Sequence, residues 1–107
     1  MLIYKVFRGA EWAQMQADGQ TCGAPVDLAD GYIHFSTAET LPGTLAKHFA
    51  GESGLVLLAC DADALAADLR WEASRGGLLF PHLYRALRAG DVVWHREIGA
   101  DGPGDLG

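Results

Sequence analysis

Apolar and polar positions alternate, bunch and thin out along this chain in a pattern that predicts a mixed α and β architecture. Residues 2–7, Leu-Ile-Tyr-Lys-Val-Phe, are rich in β-formers and predict a first strand, with Ile3, Lys5 and Phe7 on one face. Residues 11–17 predict a short helix with Trp12 and Met15 on one stripe, ended by Gly19. Residues 20–31 hold Gly, Pro and Asp and read as a loop, closed by the Asp30-Gly31 turn signal. Residues 32–37 predict a strand with unlike faces: Ile33 and Phe35 on one, Tyr32, His34 and Ser36 on the other.

Ser36 and Glu39 have the spacing of a helix capping box, and Thr37 is a second candidate cap. The helix that follows reaches about Phe49, with Leu41, Leu45 and Phe49 on one face, and Pro42 is expected to kink its first turn. Residues 55–60 are continuously apolar and short, the pattern of a strand covered on both faces at the centre of the fold. Asp61 is placed to cap a short helical segment carrying Leu65 and Leu69. Residues 70–72 read as a brief strand, 74–77 as a loop, and 79–84 as a strand that Pro81 assigns to an edge, bulge or bend. A helical turn over 85–89 and a last strand over 91–98 complete the core. Residues 99–107 are mostly Gly, Asp and Pro and read as a disordered tail, so 1–98 forms one globular domain.

Composition narrows this picture. The chain has 107 residues, half of them hydrophobic, which is enough for one core without disulfide or metal staples. The formal net charge of −6 argues against binding to double-stranded nucleic acid or anionic membrane. It leaves room for a small basic pocket that takes a phosphate. Cys22 and Cys60 form no paired motif, and Cys60 ends an apolar run as a small hydrophobe would. No signal-peptide layout and no membrane-length apolar stretch is present, so a cytoplasmic location is expected.

Candidate chemistry falls in three places. His34 and Ser36 lie two apart on a strand and project to one side, where His34 can contact ribose or phosphate or move a proton. The plainer reading makes Ser36 a helix cap and His34 a solvent-facing strand residue. Ser74-Arg75-Gly76-Gly77 offers an arginine fork beside a backbone that a ligand can approach, or an ordinary connection. Phe80, His82 and Tyr84 alternate onto one face, as a wall for a flat ring or as packed core. Glu72 is a candidate general base, or an ion-pair partner for Arg70 or Arg75. Four histidines are present, but none stand at metal-ligand spacing, and no metal site is expected.

Four segments in order, Asp30 to Thr37, the apolar strand 55–60, Arg70-Trp71-Glu72 and Phe80 to Tyr84, resemble the bacterial domain-of-unknown-function 952 family over about residues 2–97. The resemblance implies an α+β, ADP-ribosyltransferase-like fold: two small, mainly antiparallel sheets with flanking short helices. Residues 33–61 are also similar to the matching part of RNA 2′-phosphotransferases, which implies that His34 contacts ribose or phosphate and that His82 faces the same cleft. Where many family members carry a histidine this chain has Lys5, which suits a phosphate better than a nicotinamide ring. The expected ligand is NAD or a related phosphorylated nucleoside, with His34, His82 and Glu72 as catalytic candidates and Lys5, Ser36, Arg75 and Tyr84 as binding candidates. The alternative is a non-catalytic module for a small anionic ligand or a protein partner.

Overall fold

The computed structural model describes residues 1–106, except the side chain of Arg75. Its centre is β4 (Leu55–Asp61), the continuously apolar segment. β4 lies between β1 (Leu2–Arg8) and β8 (Val92–Glu97), antiparallel to both. A strand with neighbours on both edges and no exposed face needs apolar side chains at every position, and Leu55 to Cys60 are all buried. Each such leucine contributes about 1.5–3 kcal/mol by leaving water.

Alternation divides this sheet into two cores. Val56, Leu58 and Cys60 join Ile3 and Phe7 on one face, with Met15 of α1 (Gly9–Asp18) and Ile33, Phe35, Leu83 and Leu87 packed over them. Leu55, Leu57 and Ala59 join Tyr4 and Val6 on the other, under Leu41 and Leu45 of α3 (Leu41–His48) and Phe49 just past its end. Residues 99–106, expected to carry no structure, turn back here: Leu106 packs on the second core. The guanidinium of Arg96 donates to the carbonyls of Pro103 and Asp105, and the Tyr4 hydroxyl to the carbonyl of Leu106 at 3.3 Å, which gives that stretch of backbone its partners.

A second antiparallel sheet runs β3–β6–β5, with β3 (Ile33–His34), β5 (Leu69–Ala73) and β6 (Leu79–Leu83). It meets the first where Tyr4 and Ser36 exchange backbone hydrogen bonds, both 2.8 Å. A two-stranded pairing of β2 (Gln20–Thr21) with β7 (Leu87–Arg88) adds a third small sheet to the expected two. Among the described residues no helix is long and apolar enough to cross a membrane.

Several local expectations change. Residues 20–31 are not all loop: they contain β2 and the helix α2 (Pro25–Asp30), which starts on Pro25 and ends at Gly31 with φ 82°. Proline fits a first helical position because the N–H it lacks has no partner there anyway. The same reasoning places Pro42 in the first turn of α3 without splitting it. Ser36 does not cap α3; the Ser36 hydroxyl bonds that of Thr44 at 2.8 Å, while Thr37 and Thr40 bind each other's backbone N–H at 3.2 and 2.9 Å. Pro81 sits in a central strand, not an edge. Its carbonyl accepts from Phe35 N–H at 3.0 Å, and its missing donor falls where the short ladder with β3 ends.

Candidate functional site

The outer face of the second sheet gathers polar and aromatic side chains. His34 stands directly opposite His82 across the β3–β6 pairing, and Arg70 stands opposite His82 on the other side. Alternation puts Tyr32, His34, Arg70, Glu72, Phe80 and His82 on this face, with Ile33 and Leu83 turned to the core. The rings form a cluster. Tyr32 stacks on His82 with centroids 4.3 Å apart and planes at 24°. His34 lies 4.7 Å from Tyr32 and 5.2 Å from His82, and Tyr84 lies 5.1 Å from Tyr32. The Arg70 guanidinium rides over the Tyr84 ring at 5.0 Å.

Each histidine is oriented by a carboxylate. His82 Nδ1 lies 2.8 Å from Glu72 Oε1, and the Tyr84 hydroxyl donates to the same oxygen at 2.5 Å. An ionised carboxylate only accepts, so Nδ1 of His82 is the donor and the lone pair of the neutral ring is on Nε2. The Tyr84 and His82 hydrogen bonds hold the Glu72 carboxyl below its ordinary range, and the same bond raises the Tyr84 phenol. Partial burial, with Asp30 and Glu72 nearby, raises Tyr32 as well.

His34 is held at both ring nitrogens: Nδ1 is 2.6 Å from Asp27 Oδ1 and Nε2 is 3.0 Å from Asp30 Oδ2. Asp27 is fully buried. It also accepts from the His34 backbone N–H at 3.0 Å, from Ala24 N–H at 2.8 Å and from the Lys5 ammonium at 2.7 Å. Burial alone would push the Asp27 carboxyl up; the hydrogen bond from His34 and the charge of Lys5 outweigh it and keep the carboxyl below its ordinary range. Burial lowers the Lys5 ammonium, and Asp27 offsets part of that.

The expected residues therefore separate. His34, His82, Glu72 and Tyr84 are brought together. Lys5 lies behind His34, donates to the His34 carbonyl at 2.9 Å, and is engaged by Asp27. Ser36 is buried against Thr44 and is not part of the cluster. The side chain of Arg75 lies outside the described residues. Asp27, Asp30 and Tyr32 complete the site without having been singled out. For Asp27 a signal existed: proline followed two positions later by aspartate is a helix start, so Asp27 could be placed near a helix N-terminus. Among the described residues, no His, Cys, Asp and Glu cluster is arranged to hold a metal.

Two concavities lie elsewhere. One, of about 290 Å³, is lined by Trp94, His95, Arg96, Asp105 and Leu106. The other, of about 360 Å³, is lined by Met1, Ala62, Asp63, Ala66, Leu69 and Trp71.

Solved structures of protein CC0527 from Caulobacter crescentus match this chain. Its crystal structure is 50% identical, covers 95% of this chain and 91% of CC0527, and superposes with a TM-score of 0.89. A crystal structure of a double mutant of CC0527 is 48% identical, with the same coverage and TM-score. The solution NMR structure of CC0527 is 50% identical, covers 94% of this chain and 89% of CC0527, and gives 0.81. No curated protein matches. Residues 6–95 match the model of the family described as "Protein of unknown function (DUF952)", and the chain belongs to that family.

Proposed function

We propose that the outer face of the second sheet binds a small phosphorylated nucleoside such as NAD or ADP-ribose, in an ADP-ribosyltransferase-like arrangement, and that His82 accepts a proton there. The observation that carries this reading is the Glu72–His82 pair, 2.8 Å apart, flanked by the rings of Tyr32 and Tyr84. A histidine whose Nδ1 donates to a carboxylate keeps its lone pair on Nε2, the arrangement that general-base catalysis uses. Tyr32 and Tyr84 supply flat surface for a base or nicotinamide ring, and Asp30 and Glu72 supply acceptors for ribose hydroxyls. Lys5 is spent on Asp27, so the phosphate falls to Arg70, the exposed guanidinium at the rim.

Tyr84 is 39% exposed, so Tyr84→Ala removes a wall of the site without opening the core. Thermal unfolding with NAD, ADP-ribose and AMP tests the reading. Ligand at ~100 times its dissociation constant adds about 2.7 kcal/mol, roughly 10 °C in midpoint for a domain of this size. A shift in wild type that is lost in Tyr84→Ala and Arg70→Ala is expected. No shift with any of the three ligands would refute it.

The alternative, a non-catalytic binding module, is favoured by one observation: both nitrogens of His34 are bound by the chain's own carboxylates. That arrangement leaves His34 rigid and without a free nitrogen for chemistry. Incubation with NAD separates the two readings, because an enzyme releases nicotinamide and a module does not.

A further inference from the structure

The second sheet ends in an open edge at β5. Among the described residues no strand lies beyond it. The ladder shows which backbone groups face outward. Tyr84 N–H donates to the Asp68 carbonyl at 2.8 Å, and Ser74 N–H donates to the Leu78 carbonyl at 2.9 Å. Positions 68, 70, 72 and 74 therefore turn their backbone groups toward β6, and 69, 71 and 73 turn theirs away. Leu69 N–H is taken by the Ala66 carbonyl. The Leu69 carbonyl and both backbone groups of Trp71 and Ala73 remain on the edge.

An edge of this kind is a template for another strand, which proteins blunt with bulges, prolines, unpaired charges or a covering element. β5 has no proline, and its register with β6 runs without a shift from Leu69 to Ala73. Its core-side face also leaves apolar surface uncovered: Trp71 is 40% exposed, and Leu79, across from Ala73, is 54% exposed. The outer face carries Arg70 and Glu72, opposite charges two residues apart.

We propose that β5 pairs antiparallel with β5 of a second copy, about a two-fold axis at Trp71, which joins the two three-stranded sheets into one of six. The charge pattern selects this register. With the axis at Trp71, Arg70 faces the second copy's Glu72, and Glu72 faces its Arg70. An axis at Arg70 or at Glu72 would set like charges against each other. The Arg70 and Glu72 positions are the non-hydrogen-bonded pairs of the new ladder, where side chains approach most closely. Trp71 faces its own counterpart through the outward N–H and carbonyl, and Leu69 faces Ala73. The second copy's Arg70 thereby reaches Glu72, the carboxylate that orients His82. The proposal stands on the edge and its charges and does not require the nucleoside reading.

Sedimentation equilibrium over a hundredfold range of concentration tests it. The expected mass is twice the 11.4 kDa of one chain. Arg70→Glu and Glu72→Arg each place like charges in both symmetric pairs, and each weakens assembly about tenfold. The double charge swap restores it. Trp71→Pro removes an N–H that points away from β6, so the hairpin stays intact while the edge is blocked, and this variant is monomeric. The far-ultraviolet circular dichroism of each variant, unchanged from wild type, checks folding. A monomer at every concentration overturns the proposal. So does a dimer that both single reversals leave unchanged, or a double swap that fails to recover it.

Discussion

Four donors converge on one buried carboxylate at Asp27: the Lys5 ammonium, the backbone N–H of Ala24, and the backbone and ring N–H of His34. The two ends of the Lys5–Asp27 pair are unequally supported. Without Asp27, the ammonium keeps the His34 carbonyl as its hydrogen-bond acceptor. Without Lys5, Asp27 keeps three donors. Removing one partner of a buried pair costs about 3–5 kcal/mol because the other charge is left uncompensated. Asp27→Ala is expected to cost that much in urea unfolding, and Lys5→Met clearly less. Burial already lowers the Lys5 ammonium, so the Asp27→Ala penalty should shrink as pH rises and Lys5 sheds its proton. A larger loss in Lys5→Met than in Asp27→Ala would show that the lysine, not the carboxylate, organises this cluster. In the sequence Lys5 stood out as a charge on an otherwise apolar strand face, but its partner sat in what read as a loop. One charge was therefore visible without the group that neutralises it.

Length decides which elements were legible. β1, β4 and β8 each carry six or seven residues of pattern, and all three strands appear where alternation or continuous apolarity put them. α2 has six residues, and β2 and β7 have two each, too short to express a period. The His34–His82 pairing was legible in outline, because both lie in alternating segments. Ser36 was misplaced because the same alternation continues past the point where the chain leaves β3 to cross β1 and enter α3. Tertiary geometry at Gly23 was not legible at all. Gly23 has φ of 104°, and a Cβ there would overlap the carboxylate of Asp27. The turn that leads from β2 into α2 therefore depends on a missing side chain. Gly23→Ala combines a left-handed backbone with that overlap and is expected to cost more than the ~1 kcal/mol of the backbone term alone. It should also displace Asp27, so the His34 ring resonances in an NMR spectrum should move. A variant with wild-type stability and an unmoved His34 signal would show that α2 can shift without consequence for the site.

Across the whole molecule, the ionisable groups act together at acid pH and against one another at alkaline pH. The Asp27, Asp91 and Glu72 carboxyls all lie below their ordinary values, set by hydrogen bonds from His34, Arg85 and Tyr84 respectively. A carboxyl depressed in the folded state binds fewer protons there than in the unfolded chain. Stability is therefore fully present above the ordinary carboxylate range and is lost as pH falls through the folded-state values. At the alkaline end Lys5, lowered by burial, gives a contribution that rises with pH. Tyr32, Tyr84 and Cys60 oppose it: their folded values are raised, that of Cys60 by burial to about 12, so their stabilisation fades as pH rises through those values. Urea midpoints measured across pH should accordingly show a steep acid limb and a shallower alkaline one. Asp27→Asn keeps the size of the side chain but cannot take up a proton, so its acid limb should be less steep than that of wild type. Equal slopes would mean that Asp27 carries its proton alike in both states, and would place the acid sensitivity of the fold on the Arg85–Asp91 pair and the Glu72 cluster.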